Sequence, residues 1–168
     1  VLARPMTDTL REGHFLLTAA RLYGKLRAAA FGRPPEGQED AVALEYSHKY
    51  TCPLLPPISP GTEYDLAVSF LTPHYITAQK VRAGRWAAWI HTDYSRLRTD
   101  TASEIAMWDA YDSIVSISPA VSRTFSETFP SLRGKLTEIG NILSPSLIRS
   151  QAERFDPGAD MPRDGSLR

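Results

Sequence analysis

Five consecutive apolar residues, Trp86-Ala-Ala-Trp-Ile90, end abruptly in His91-Thr92-Asp93, and no other stretch narrows the fold as far. A strand that is apolar at every position, rather than at every second one, suits the middle of a parallel sheet with helices over both faces. The polar triplet behind it serves no packing purpose. In open α/β sheets ligands bind beyond the carboxyl ends of the strands, which makes His91, with Thr92 and Asp93 beside it, the first candidate site. The plainer reading is that His91 closes the sheet by bonding a backbone carbonyl, while Asp93 orients it or caps the next helix.

Strands and helices alternate around this run. Tyr64–Phe70, Arg85–Ile90, Asp112–Ile117 and Leu136–Ile142 read as strands, and helices are predicted to about Ala83, from Thr101 to Tyr111, to about Phe129, and to about Phe155. Three junctions carry a hydroxyl residue before proline: Thr72-Pro73, Ser118-Pro119 and Ser144-Pro145. The hydroxyl can accept from a first-turn amide, and proline at the first helical position has no amide to leave unbonded. Thr101-x-x-Glu104 reads as a capping box. Alternation of this kind means right-handed crossovers and parallel strands, so the strand ends and helix starts gather on one edge. That edge suits an anionic or polyhydroxylated ligand, although hydroxyl caps are common without one. His74, in the first turn after Thr72-Pro73, falls near the same edge.

The first sixty residues are a lead-in. Residues 1–8 read as a loop, and Thr9-x-x-Glu12 reads as a capping box opening one amphipathic helix over residues 10–30. Residues 41–50 fit a helix face through Tyr46 and Tyr50, or a strand through Val42, Leu44 and Tyr46; helix is the reading adopted. Four prolines between Pro53 and Gly61 make an ordered coil that leads to the sheet.

Other functions are set aside by what is missing. Nineteen basic residues balance nineteen acidic ones, unlike the basic surface of a nucleic-acid binder. Arg21, Lys25 and Arg27, with Arg82 and Arg85, are the small local excess: a solvated face, or in the sharper reading a contact with acidic lipid. Cys52 is the lone cysteine and reads as a small buried hydrophobe. The cytosol is then the simplest compartment. No histidine pair has metal-ligand spacing, and there is no phosphate loop, Gly-x-Ser-x-Gly or Gly-x-Gly-x-x-Gly. The chain opens on Val1 and stops within a polar stretch, as a piece of a longer protein would.

Four blocks in order, Glu63–Leu71, Ala88–Ser95, Tyr111–Phe125 followed by Phe129–Leu132 and Lys135, and Glu138–Pro145, resemble the N-terminal domain of group 1 glycosyltransferases of the GT-B fold. The members most similar build capsular and other surface polysaccharides. The resemblance implies a Rossmann-like parallel sheet with flanking helices, the incomplete N-terminal half of a GT-B fold. Residues 1–60 are then the lead-in, 61–155 the β/α core on the acceptor side, and 156–168 the interdomain linker with the start of an absent C-terminal domain. The implied activity is retaining transfer of a sugar from a nucleotide-sugar donor to a glycan or lipid-linked acceptor, without metal or other cofactor. His91 matches the strand-end histidine beside the donor sugar, Ser118 a cleft-facing position, and Asn141 the end of the last strand near the hinge. Thr92 and Asp93 are placed to help receive the acceptor. The implied location is cytoplasmic or peripheral at the inner face of the plasma membrane. The family's opening strand, glycine-rich loop and nucleotide-binding domain lie outside these residues, so the piece is expected to be inactive alone, with strand Asp65–Phe70 open to edge-to-edge dimerisation. A non-catalytic α/β interaction or regulatory domain is the principal rival.

Overall fold

The structure is a computed structural model, described over residues 5–154 and 156. In chain order it contains α1 (Met6–Arg11), α2 (Phe15–Ala30), β1 (Glu39–Asp40), α3 (Val42–Thr51), β2 (Ala67–Ser69), α4 (Tyr75–Lys80), β3 (Trp86–Ile90), β4 (Leu97–Arg98), α5 (Thr101–Asp109), β5 (Ser113–Ser116), α6 (Pro119–Thr128), β6 (Leu136–Glu138) and α7 (Pro145–Ala152). Four strands form one parallel sheet in the order β2-β3-β5-β6. The chain is therefore an α/β fold with a Rossmann-like parallel sheet and flanking helices.

Consecutive order has a consequence for coverage. Right-handed crossovers between neighbours that are also successive in sequence place every connecting helix on the same side. Ala67, Ser69, Ala88, Ile90, Ile114 and Ser116 are buried on that side. Above them Trp108, Phe125, Phe129, Tyr94 and Tyr111 form the core, with edge-to-face ring contacts such as Trp108–Phe125 at 5.1 Å and Tyr94–Phe129 at 5.1 Å. On the other side Leu66, Val68, Phe70 and Ile139 are exposed, and no helix among the described residues covers them. The expectation of helices over both faces of Trp86–Ile90 is corrected here: Ala87 and Trp89 face the open side, screened by neighbouring strands and by Phe70, whose ring lies 5.8 Å from that of Trp89.

Several local expectations change as well. The single helix over 10–30 is two, and its start lies earlier, at Met6 rather than in a loop. Gly13, at φ +83°, takes the left-handed conformation after α1, while the His14 amide donates to Thr9 O and the Gly13 amide to Leu10 O. That pair of bonds ends α1, so Thr9 is no cap; it lies inside the helix, buried, and donates to Met6 O at 2.8 Å. The 41–50 segment is helical, as read. Thr72 caps nothing: the Thr72–Pro73 peptide is cis, and α4 begins two residues past the proline without a side-chain cap. Ser118 and Ser144 do cap α6 and α7, accepting from the Val121 and Leu147 amides at 3.3 Å each. The cap of α5 is Asp100 rather than Thr101, accepting from Ser103 N at 3.2 Å, which leaves Glu104 free to turn inward. Strands β2 and β6 are shorter than read.

A second, two-stranded parallel pair, β1 with β4, ties the lead-in to the sheet domain. Arg98 is nearly buried there, bonded to Asp40 at 2.8 Å and to the carbonyls of Phe31 and Gly32. Beside it α3 docks on α4 and α5 through Tyr46–Asp100 at 2.6 Å and through Glu45, which accepts from Tyr75 and Ser103 at 2.5 Å each.

Candidate functional site

The parallel register aligns the carboxyl ends of the strands. Ser69 pairs with Ala88, Ile90 with Ser116, and Ser116 with Glu138. Residues that follow these positions, His91, Thr92, Asp93, Ser118 and Asn141, therefore lie along one edge of the sheet, the edge at which the N-terminus of α6 begins. Each is set there by the local sequence: a buried strand that must end where polar residues start, or a serine that caps a proline-initiated helix.

His91 is half-buried and belongs to the open side. Its ring packs on Phe70, with centroids 4.4 Å apart, and its Nε2 is buried without a hydrogen-bond partner. Thr92 is half-buried beside it. Asp93 caps the following 3-10 turn, accepting from the Ser95 amide at 3.0 Å and the Ser95 hydroxyl at 2.7 Å; these bonds hold its carboxyl below the usual range. Ser118 is committed to the α6 cap, while next to it Ser116 and Ser122 share a hydrogen bond of 2.5 Å. Asn141 is exposed, two residues past Ile139.

His74 lies at the same edge but faces the opposite way. It is fully buried on the helix side, with Nδ1 2.7 Å from Ser69 Oγ and its ring 4.4 Å from that of Trp108. Burial, and secondarily the proximity of His91, pushes its pKa down to about 3, so the ring is neutral at any physiological pH. As placed, His74 is a core residue out of reach of a ligand in solvent, and the edge it shares with His91 does not bring the two rings to one surface.

Three features went unread in the sequence. Phe70, the ring on which His91 rests, is one; an exposed aromatic residue at the end of β2 was its only signal. Ser69 as the partner of His74 is the second. The third is the burial of Glu104, which was read as a capping-box partner: it is almost fully buried, accepting from Trp108 Nε1 at 2.8 Å and Tyr94 OH at 3.2 Å, and burial lifts its pKa to about 7. Its spacing to Trp108, one helical turn, was visible but equally fits a solvated face.

The open side carries a shallow groove lined by Leu66, Val68, Trp86, Trp89, Val115 and Ile139, with Arg85 and Asp112 at the amino end of the strands. Ser113 and Thr137 also line it, and it includes none of the residues of the polar edge. Among the described residues no group of three His, Cys, Asp or Glu side chains is arranged to hold a metal ion, and no helix is long and apolar enough to cross a membrane. No protein-family model, curated protein or solved structure matches this chain.

Proposed function

We propose that the chain is the acceptor-side half-domain of a retaining glycosyltransferase, which moves a sugar from a nucleotide-sugar onto a glycan or lipid-linked acceptor during surface-polysaccharide assembly. The observation that carries the reading is His91: a half-buried imidazole at the carboxyl end of a central strand, supported by an aromatic ring, with a buried Nε2 that no described residue bonds. A sugar hydroxyl is a natural partner for such a nitrogen, and a ring held by Phe70 loses little freedom on binding it. The four sequence blocks that resemble group 1 glycosyltransferases support the same assignment.

The chemistry asks little else of this half. The anomeric carbon–phosphate oxygen bond of the donor breaks, a bond to the acceptor oxygen forms, and the acceptor proton leaves with the nucleoside diphosphate. His91 orients the donor sugar; Thr92 and the N-terminal end of α6 near Ser118 border the space for the acceptor, and Asn141 lies towards the hinge. A facing domain that holds the nucleotide would exclude water, which otherwise hydrolyses the donor.

The test is a transfer assay on the complete enzyme with a panel of nucleotide-sugars, reading release of the nucleoside diphosphate and sugar incorporation into product. Turnover of at least one donor supports the proposal. Failure of every donor both to bind and to react would refute it and favour a non-catalytic interaction domain.

A further inference from the structure

Helix α2 displays an apolar stripe that no described residue covers. Phe15 and Leu26 are 67% and 61% exposed, and Leu22 is half exposed between them. At about 100° per residue these three positions fall within about 40° of one another on the helix circumference. The buried positions Leu17, Gly24 and Ala28 lie diametrically opposite, and Gly24 and Ala28 pack on α3. Two contacts fix this rotation. A Cβ on Gly24 would stand 3.1 Å from the Tyr46 carbonyl oxygen, so the two helices touch backbone to backbone, and the Tyr23 and Tyr50 rings meet edge to face at 4.7 Å. The stripe therefore faces away from the protein.

Charge says what covers it. Residues 15–33 contain Arg21, Lys25, Arg27 and Arg33 and no aspartate or glutamate. Lys25 and Arg27 are both exposed; Lys25 borders the stripe, and Arg27 lies farther round the other side, beside Tyr50, with which it interacts. Their long aliphatic stems can follow an apolar surface while the charged ends reach headgroups. A second copy docked stripe to stripe would set these cations against their equals, with no acid in the segment to pair them.

We infer that α2 is a membrane-surface helix, which lies in the interface of an anionic lipid bilayer with Phe15, Leu22 and Leu26 inserted and Lys25 and Arg27 on the lipid phosphates. The inference stands apart from the sugar-transfer proposal. It concerns a face remote from His91 and requires no activity.

The experiment is vesicle co-sedimentation of the chain with phosphatidylcholine alone and with phosphatidylcholine containing about 30% phosphatidylglycerol, at low and high salt. Binding is expected only to the anionic vesicles, weakening as salt screens the headgroups. Removing both charges in Lys25→Ala/Arg27→Ala should weaken binding about 30-fold, from about fivefold per cation. Leu22→Asp/Leu26→Asp should abolish it, with circular dichroism confirming the fold since both positions face solvent. A control on the open sheet face, Leu66→Asp, should bind as the unmodified chain does. Equal binding to neutral vesicles, no binding to either kind, or indifference to the α2 substitutions would each overturn the assignment. A concentration-dependent dimer lost in Leu22→Asp/Leu26→Asp without vesicle binding would also overturn it, and give the stripe to a second copy.

Discussion

The two faces of the four-stranded sheet are built from similar residues and live in different solvents. On one, Ala88, Ile90 and Ile114 lie under Trp108, Phe125 and Phe129 and are sealed. On the other, Leu66, Val68 and Phe70 are comparably apolar yet exposed. The difference is one of winding, since a sheet whose neighbours are successive in sequence receives all its helices on one side. The same division sorts the two edge histidines: each has a buried Nε2 without a hydrogen-bond partner among the described residues, but His74 is a fully sealed core ring, whereas His91, on the other side of the edge, is only half-buried.

If the faces differ as described, truncation must hurt one far more than the other. Trp108→Ala should cost about 3–5 kcal/mol of folding stability, whereas Val68→Ala should stay within about 0.5 kcal/mol, both read from urea unfolding. Comparable losses would mean that the open face is covered in solution.

The sealed side also contains the groups that titrate abnormally. The fold favours the protonated form of Glu104, so its contribution is complete below pH 4.5 and is lost as pH rises through about 7, a fall of about 3 kcal/mol. His74 works in the opposite sense: the fold favours its neutral ring, so its contribution is present above pH 6.5 and is lost as pH falls toward 3. Between about pH 4.5 and 6.5 the two oppose each other. Glu104→Gln keeps an oxygen for Trp108 and Tyr94 to donate to and removes the titration, so its stability should climb with pH across that window while the unmodified protein changes little. Parallel profiles for the two would show that Glu104 is not sealed.

The smallest effect concerns the boundary between the faces. Among the described residues β2 is an edge strand with one side unpaired, and pairing with a second copy is expected at high concentration. Light scattering should show a weak dimer that Val68→Lys disperses; a clean monomer at the highest soluble concentration would remove the edge as an interface.

Much of this was legible in the chain. Trp86–Ile90 announced a strand, Ser118-Pro119 and Ser144-Pro145 announced helix starts, and the alternation announced parallel order. What escaped was set by contacts distant in sequence. Whether a second layer covers the sheet depends on strand order, which no local pattern encodes. Thr72-Pro73 carries the same residue types as the two true caps, but the Ser69–His74 contact and the cis peptide belong to the tertiary structure. Thr9 looked like a cap because its spacing to Glu12 fits one, while Gly13, a stop signal of equal standing, decided the outcome. The strand-end position of His91 was visible; its support by Phe70 required two strands to be side by side.

The most direct test of the account is the kinetic cost of losing the His91 ring in the complete enzyme. With nucleotide-sugar and acceptor supplied, His91→Ala is expected to lower kcat tens-fold or more while the unfolding midpoint hardly moves, because the ring is half-buried and its Nε2 has no partner among the described residues. Turnover close to that of the unmodified enzyme, or a loss of activity matched by a loss of folding, would contradict it.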